Sequence, residues 1–230
     1  MGELYREIWA DFFKEPIDEM PRVEARVRER LKHVVLNGEW YEVYDLLEFA
    51  INAPASGNRD RLRDTVASIL AEEMAGFRWI NGMFVEITSE NEILAIEEAF
   101  SQTANDRFAP VRSHLATALA LLSDRRAPDY RNSIKESISA VEAVAQILTG
   151  DPQAELGKAL KLLRTEAPVH GALRSALMSL YGYTSDANGI RHALTEEASL
   201  DAADAKFMLV ACSAFSVYLI QKAGAAVPPR

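Results

Sequence analysis

The sequence has one cysteine, Cys212, among 230 residues, and it has only nine prolines and eleven glycines. A single cysteine excludes an intramolecular disulfide and a cysteine-based zinc cluster, and it fits a reducing cytoplasm. The scarcity of proline and glycine leaves long stretches in which Ala, Leu and Glu favour helix. Glycine-rich phosphate-binding loops and His-Glu-x-x-His zinc motifs are missing, so we expect neither a cofactor nor a metal ion.

Long apolar runs are missing as well. The most apolar stretch, Phe207–Ile220, is interrupted by Ser213 and Ser216, which predicts a buried helix that is too short to cross a bilayer. The first residues lack the apolar segment of a signal peptide. A formal net charge of −9 argues against broad, non-specific binding to nucleic acid but allows a local basic groove. We therefore expect a cytoplasmic protein with no membrane partner.

Apolar residues recur at spacings of three and four along most of the chain, which is the period of an amphipathic helix. This pattern predicts an all-α protein. The first half is expected to form helices at 3–14, 21–36, 40–51, 59–76, 89–100 and 108–122. The second half is expected to form helices at 130–148, 156–163, 169–180 and 201–223.

One segment departs from the helical pattern. Aromatic and β-branched residues between Phe77 and Ile87 flank the dipeptide Asn81-Gly82, which tolerates the two left-handed positions of a tight turn. The segment therefore predicts a single β-hairpin at 77–87.

The charged, proline-containing segment Asp124–Asp129 is the candidate junction between two halves of the chain. It divides an N-terminal helical region, residues 1–125, from a helical bundle at residues 128–224. The hairpin belongs to the first of these regions.

A polar face runs along the predicted helix at 130–148, opposite its apolar stripe. Arg131, Lys135 and Ser139 follow one another at intervals of four residues and therefore share one side of the helix. Asn132 and Glu136 lie beside them. The face is either a solvated helix surface or a polar groove that contacts a phosphate or a partner subunit.

A second polar cluster, Asn188 to His192, follows a loop rich in glycine and aspartate and begins another helix. Backbone N–H groups at a helix start favour anions, Arg191 adds a bidentate phosphate contact, and His192 can transfer a proton near neutral pH. Metal-free RNA cleavage needs a base for the ribose 2′-hydroxyl and a cation for the developing charge on the phosphate. Alternatively, Arg191 binds Asp186 or Glu196, and His192 packs as an ordinary helix residue.

These stretches resemble a known family. The segments PDYRNSIKESISAVEAVAQILTG, LYGYTSDANGIRHAL and DAKFMLVACSAFSVYLI resemble the abortive-infection family typified by the AbiJ N-terminal domain, and also the HEPN superfamily of helical bundles. The resemblance is strong over Pro128–Lys222 and continues more weakly through the first half, in WADFF and YEVYDLLEF. It implies a HEPN-like bundle and a link with phage defence. It also implies a metal-independent endoribonuclease that forms a homodimer.

The catalytic signature of the HEPN superfamily is an arginine followed, after four to six residues, by a histidine. In this chain Arg191 and His192 are adjacent instead. The signature spacing does occur elsewhere, as chance allows in a chain with many arginines, at Arg28/His33, Arg107/His114 and Arg164/His170.

Three functions follow from these observations. In the first, the protein is a ribonuclease in which Arg191 holds phosphate, His192 acts as acid or base, and Arg131, Asn132 and Glu136 orient them. In the second, it is a non-catalytic dimeric sensing or adaptor module that binds RNA, a nucleotide or a protein partner. In the third, it is a helical interaction scaffold with no ligand.

Overall fold

The helices on either side of residues 124–129 pack closely against each other. The computed structural model describes residues 2–153, 170–185 and 200–225. It divides the chain into two compact units, Met1–Glu86 and Ile87–Arg230. The sequence predicted a junction at 124–129 instead. The units divide earlier because α6, Ala109–Ser123, and α7, Tyr130–Thr149, form an extensive interface across that segment.

The first unit consists of short amphipathic helices and one hairpin. Its helices are α1, Glu3–Glu7, followed by a π-helical turn at Ile8–Phe12 and a 3-10 turn at Ile17–Glu19, then α2, Glu24–Asn37, α3, Trp40–Asn52, and α4, Arg59–Glu72. Two clusters of buried side chains stabilise it. Trp9, Met20 and Val27 form the first, and Ile51, Val66 and Phe84 form the second.

The predicted hairpin is confirmed. Strands β1, Arg78–Ile80, and β2, Met83–Val85, pair antiparallel, with Ile80 opposite Met83. Asn81 and Gly82 both have positive φ angles, 45° and 90°, which are the left-handed conformations that a two-residue hairpin turn requires. The backbone N–H of Phe84 donates to the Glu48 carboxylate on α3, so the hairpin is fixed to the helix core.

The second unit is a helical bundle. Its helices are α5, Glu90–Gln102, α6, α7, α8, Gly171–Ser185, and α9, Ala202–Ala225, with a 3-10 turn at Asp106–Phe108 before α6. The all-α class with one hairpin is thereby confirmed. The loop predicted from Tyr181 is helical as far as Ser185, because one glycine inside a helix costs only about 1 kcal/mol. The helix predicted at 156–163 lies outside the described residues.

Helix α9 is the most apolar element of the second unit. Among the described residues, one segment is long and apolar enough to cross a membrane, Ala202–Ala223, with a mean hydropathy of 1.5. In the bundle this helix packs on α5, α6 and α7. Two polar contacts join it to α5: Lys206 lies 3.4 Å from Glu92, and Gln221 donates to Glu98 at 3.2 Å. Core packing accounts for part of the apolar character of α9, since 44% of this apolar segment is buried in the bundle.

Candidate functional site

Three polar contacts connect α6 and α7 along the edge of their antiparallel hairpin. The backbone N–H of Asp129 donates to the carbonyl oxygen of Leu121 at 3.0 Å, and the Ser133 hydroxyl donates to that of Ala118 at 2.8 Å. One helical turn further on, Nδ1 of His114 lies 2.6 Å from a carboxylate oxygen of Glu136. From one pair to the next, α7 moves forward and α6 moves back by about one helical turn. This antiparallel register of the two helices places His114 opposite Glu136.

The loop before α7 is held by two aspartates. Asp124 accepts the backbone N–H groups of Ala127 and Arg126, both at 2.9 Å, and these bonds hold the pKa of its carboxyl below the ordinary value. Asp129 caps α7 by accepting the backbone N–H of Asn132 at 3.0 Å. Its second oxygen accepts the side-chain amide of Asn132 at 2.6 Å. The side chains of Asp129 and Asn132 at the start of α7 are therefore bonded to each other.

The predicted polar face of α7 contains two kinds of residue. Asn132 is hydrogen-bonded to Asp129 at the start of α7, and Glu136 is hydrogen-bonded to His114 on α6. Both bonds therefore stabilise the pair of helices α6 and α7. Arg131 and Lys135 are exposed. Within residues 2–153, 170–185 and 200–225, neither cation has an ion-pair partner.

The His114–Glu136 pair is partly open to solvent. The side chains of His114 and Glu136 keep 37% and 24% of their exposure. The contact is a hydrogen bond donated to Glu136 in the tautomer of His114 that carries a proton on Nδ1. Its other nitrogen, Nε2, forms no hydrogen bond in the part of the chain that the structure describes. Sequence reasoning missed this pairing because it depends on the register of two helices; the available signal was a histidine and a glutamate on facing edges of consecutive helices.

The remaining predicted site residues, Arg191, His192 and Asn188, lie outside the described residues. Their roles stay predictions.

At the other arginine–histidine spacings, Arg28 and Arg107 contact groups other than the histidine, and Arg164 lies outside the described residues. Arg28 donates to the Tyr5 hydroxyl at 3.2 Å and to Glu24 at 2.5 Å, and these contacts raise the pKa of its guanidinium. His33 lies instead beside Asn37 on the same helix, with its Nδ1 at 3.2 Å from the side-chain amide. The guanidinium of Arg107 lies over the neighbouring Phe108 ring, 5.3 Å from its centroid.

Two other kinds of chemistry find no support in the described residues. Among them, no group of three His, Cys, Asp or Glu side chains could hold a metal ion. Cys212 is fully buried in α9, and burial raises the pKa of its thiol to about 12. A protonated, inaccessible thiol is a poor nucleophile.

Comparison with known proteins gives one result. Residues 3–102 match the family model of AbiJ N-terminal domain 4. No curated protein and no solved structure matches the chain. The match covers the first unit and α5 and links this part of the chain with abortive infection. The sequence had placed the stronger part of the resemblance at 128–222, whereas the family model matches the half in which the resemblance looked weaker.

Proposed function

We propose that the protein acts in an abortive-infection response to phage. The match of residues 3–102 to AbiJ N-terminal domain 4 carries this proposal. Bacteria that express the chain are expected to lower phage yield, with infected cells dying before new phage are released. The measurement is plaque formation and culture survival, compared with cells that carry an empty vector. Normal plaque numbers across a broad panel of phages would refute the proposal.

The proposed activity within that response is endoribonuclease cleavage without a metal ion. Arg191 would bind the scissile phosphate and His192 would act as acid or base, as the resemblance to HEPN bundles implies. The exposed cations Arg131 and Lys135 support this proposal because each can contact a neighbouring phosphate of the RNA. Asn132 and Glu136 are bonded to Asp129 and His114, and their part in orienting Arg191 and His192 stays a prediction.

The activity is tested with purified protein and labelled single-stranded RNA in the presence of EDTA. The parent chain is expected to cleave the RNA, and His192→Ala is expected to lose most of that activity. His33→Ala is the matched control, because His33 is an exposed histidine on α2. Equal cleavage by the His192→Ala variant and the parent would remove His192 from the proposed site.

A second function, a non-catalytic sensing or adaptor module, is favoured by the bonds on α7. Asn132 stabilises the start of the helix and Glu136 joins it to α6, so two of the five residues of the predicted polar face have a structural role. In this case RNA, a nucleotide or a protein partner would bind without being changed. A shift in melting temperature on adding RNA, with the RNA recovered intact, would support this function.

We also propose that the protein is a cytoplasmic homodimer, since the resemblance implies paired HEPN-like bundles. Light scattering during size-exclusion chromatography is expected to give twice the mass of 25.5 kDa. A monomer at micromolar concentration would contradict this expectation.

A further inference from the structure

We infer that the outward side of α9 is the surface through which two copies of this chain pair, with their α9 helices antiparallel. This inference rests on the proposed homodimer and names the side chains that form its interface. It starts from a stripe along α9 that has four apolar residues between two charged ends. The members of the stripe are Asp204, Phe207, Ala211, Ala214, Tyr218 and Lys222.

The stripe lies opposite the buried side of α9. Its members recur at spacings of three and four residues, so they share one side of the helix. About half a turn away, Ala205, Leu209 and Ser216 are completely buried where α9 packs on α5, α6 and α7. Phe207, in contrast, keeps 61% of its exposure, and Ala214 is exposed. Helix α9 therefore has a second apolar side that α5, α6 and α7 do not cover.

An apolar outward side of this length is unusual for a helix that faces solvent. A surface helix carries polar residues on its outer side, whereas a helix that is apolar all round is buried. No residue between Lys206 and Gln221 is charged. The half-buried Val210 and Phe215 widen the stripe on its two flanks. A contiguous exposed apolar surface with an aromatic side chain is typical of a protein interface.

The stripe is complementary to itself when two copies run antiparallel. Its spacing is the heptad spacing at which helices pair side by side. A two-fold axis at the middle of the stripe places Phe207 opposite Tyr218 of the partner subunit. The same axis places Ala211 opposite Ala214 of the partner subunit. The small alanines at the centre let the helices approach closely, and the aromatic rings fill the space on either side.

The charges at the two ends of the stripe favour a second copy of the chain as the partner. In the antiparallel pair, Asp204 lies beside Lys222 of the partner subunit, and this contact occurs twice in each dimer. A parallel pair would instead bring like charges together, which is unfavourable. Within one chain, Nζ of Lys222 lies 5.7 Å from the centroid of the Tyr218 ring, and Asp204 accepts the backbone N–H of Asp201 at 3.2 Å. A carboxylate accepts several hydrogen bonds, so Asp204 can keep that bond and also bind a lysine.

The decisive variant is Ala214→Glu, which places a carboxylate at the centre of the stripe. Because Ala214 is exposed in the single chain, water can solvate the glutamate in the monomer. In the dimer the same carboxylate loses water and approaches its symmetry mate. The dimer Kd, measured by sedimentation equilibrium, is expected to rise about 100-fold or more. Ala120→Glu is the matched control and should dimerise like the parent, since Ala120 is an exposed alanine on α6.

Exchange of the end charges tests the antiparallel register. Lys222→Glu sets two carboxylates beside each other at each end of the dimer and should raise the Kd about tenfold. Adding Asp204→Lys to this variant restores opposite charges and should recover most of the lost affinity. A combined variant that dimerises as weakly as Lys222→Glu alone would overturn the antiparallel register.

The outcomes separate this inference from the homodimer on which it rests. Circular dichroism and melting temperature first show that each variant is folded. If the parent is a dimer and folded Ala214→Glu dimerises equally well, the α9 interface is overturned while the homodimer stands. If the parent is a monomer at every concentration, both fall. A monomeric parent that floats with vesicles of phosphatidylcholine and phosphatidylglycerol would show that the stripe binds a bilayer instead of a second copy.

Discussion

Asn52, near the end of α3, donates a 2.7 Å hydrogen bond from its side-chain amide to the carbonyl oxygen of Gly82 in the hairpin turn. The bond joins two residues that are 30 positions apart in the chain. It fixes the tip of the hairpin to a helix, just as Glu48 fixes its second strand. An isolated two-stranded hairpin is marginally stable, so these helix contacts explain how so short a sheet persists.

The turn predicts a first stability effect. Gly82→Ala is expected to destabilise the first unit by about 1–2 kcal/mol, because alanine is strained at a positive φ such as the 90° of Gly82. Space is not the cause: a Cβ would lie 3.5 Å from Asn52, an ordinary contact distance. Chemical denaturation followed by circular dichroism measures the change in the free energy of unfolding.

Gly57 offers the matched control for this substitution. A Cβ at Gly57 would meet no atom within 4 Å among the described residues, and its φ is not positive. Gly57→Ala should therefore leave stability close to that of the parent. If Gly82→Ala were equally neutral, the left-handed turn at this position would be wrong.

A second prediction concerns the end of α2. Gly38 follows α2 with an ordinary φ of −75°, so no left-handed conformation calls for a glycine there. Glycine is needed there for a different reason: a Cβ would lie 2.5 Å from the carbonyl oxygen of Val34. Gly38→Ala is therefore expected to destabilise the unit by about 1–3 kcal/mol through this backbone clash. A melting temperature equal to that of Gly57→Ala would contradict the close approach.

Local patterns gave most of the fold, and long-range packing accounts for the rest. The Asn81-Gly82 dipeptide specifies its turn through the conformations of two adjacent residues, so the hairpin could be predicted. The division of the chain into two units could not be predicted in this way. It depends on the packing of α6 against α7 across residues 124–129, and no short window of sequence contains that packing.

The candidate site shows the same limit. Helical periodicity placed Glu136 on a polar face, but it could not show that His114 lies opposite. The position of His114 depends on the register of α6 against α7, which the Asp129–Leu121 and Ser133–Ala118 hydrogen bonds set. Asn132 was predicted to help orient Arg191 and His192; its position three residues after Asp129 was the available signal for its bond to that capping residue.

A third prediction tests the His114–Glu136 contact itself by a double-mutant cycle. His114→Ala, Glu136→Ala and the double variant are expected to give a coupling free energy of about 0.5–1 kcal/mol near pH 6, since the pair is partly exposed. In 1 M NaCl the coupling should shrink, because salt screens partly exposed charges. Additive effects of the two single substitutions would show that the contact is absent in solution.

A fourth prediction concerns the cap of α7. Asp129→Ala removes the acceptor for both the backbone N–H and the side-chain amide of Asn132. We expect a loss of about 1 kcal/mol in the free energy of unfolding of the second unit. Asp129→Asn keeps one carbonyl acceptor and should recover part of that loss. Full stability in Asp129→Ala would show that the cap contributes nothing to the bundle.

Burial of Cys212 predicts how the thiol responds to pH. Because α9 is packed against α5, α6 and α7, the native protein should react with a thiol reagent at pH 8 only as fast as the second unit opens. Burial raises the pKa of the thiol from 9.0 to about 12, so above pH 9 the unfolded chain loses a proton that the native chain keeps. Stability contributed by this group is therefore complete below pH 9 and is lost progressively as the pH rises toward 12. Cys212→Ala removes the titrating group, so the variant should lose less stability than the parent between pH 9 and 11, and parallel curves would contradict the buried thiol.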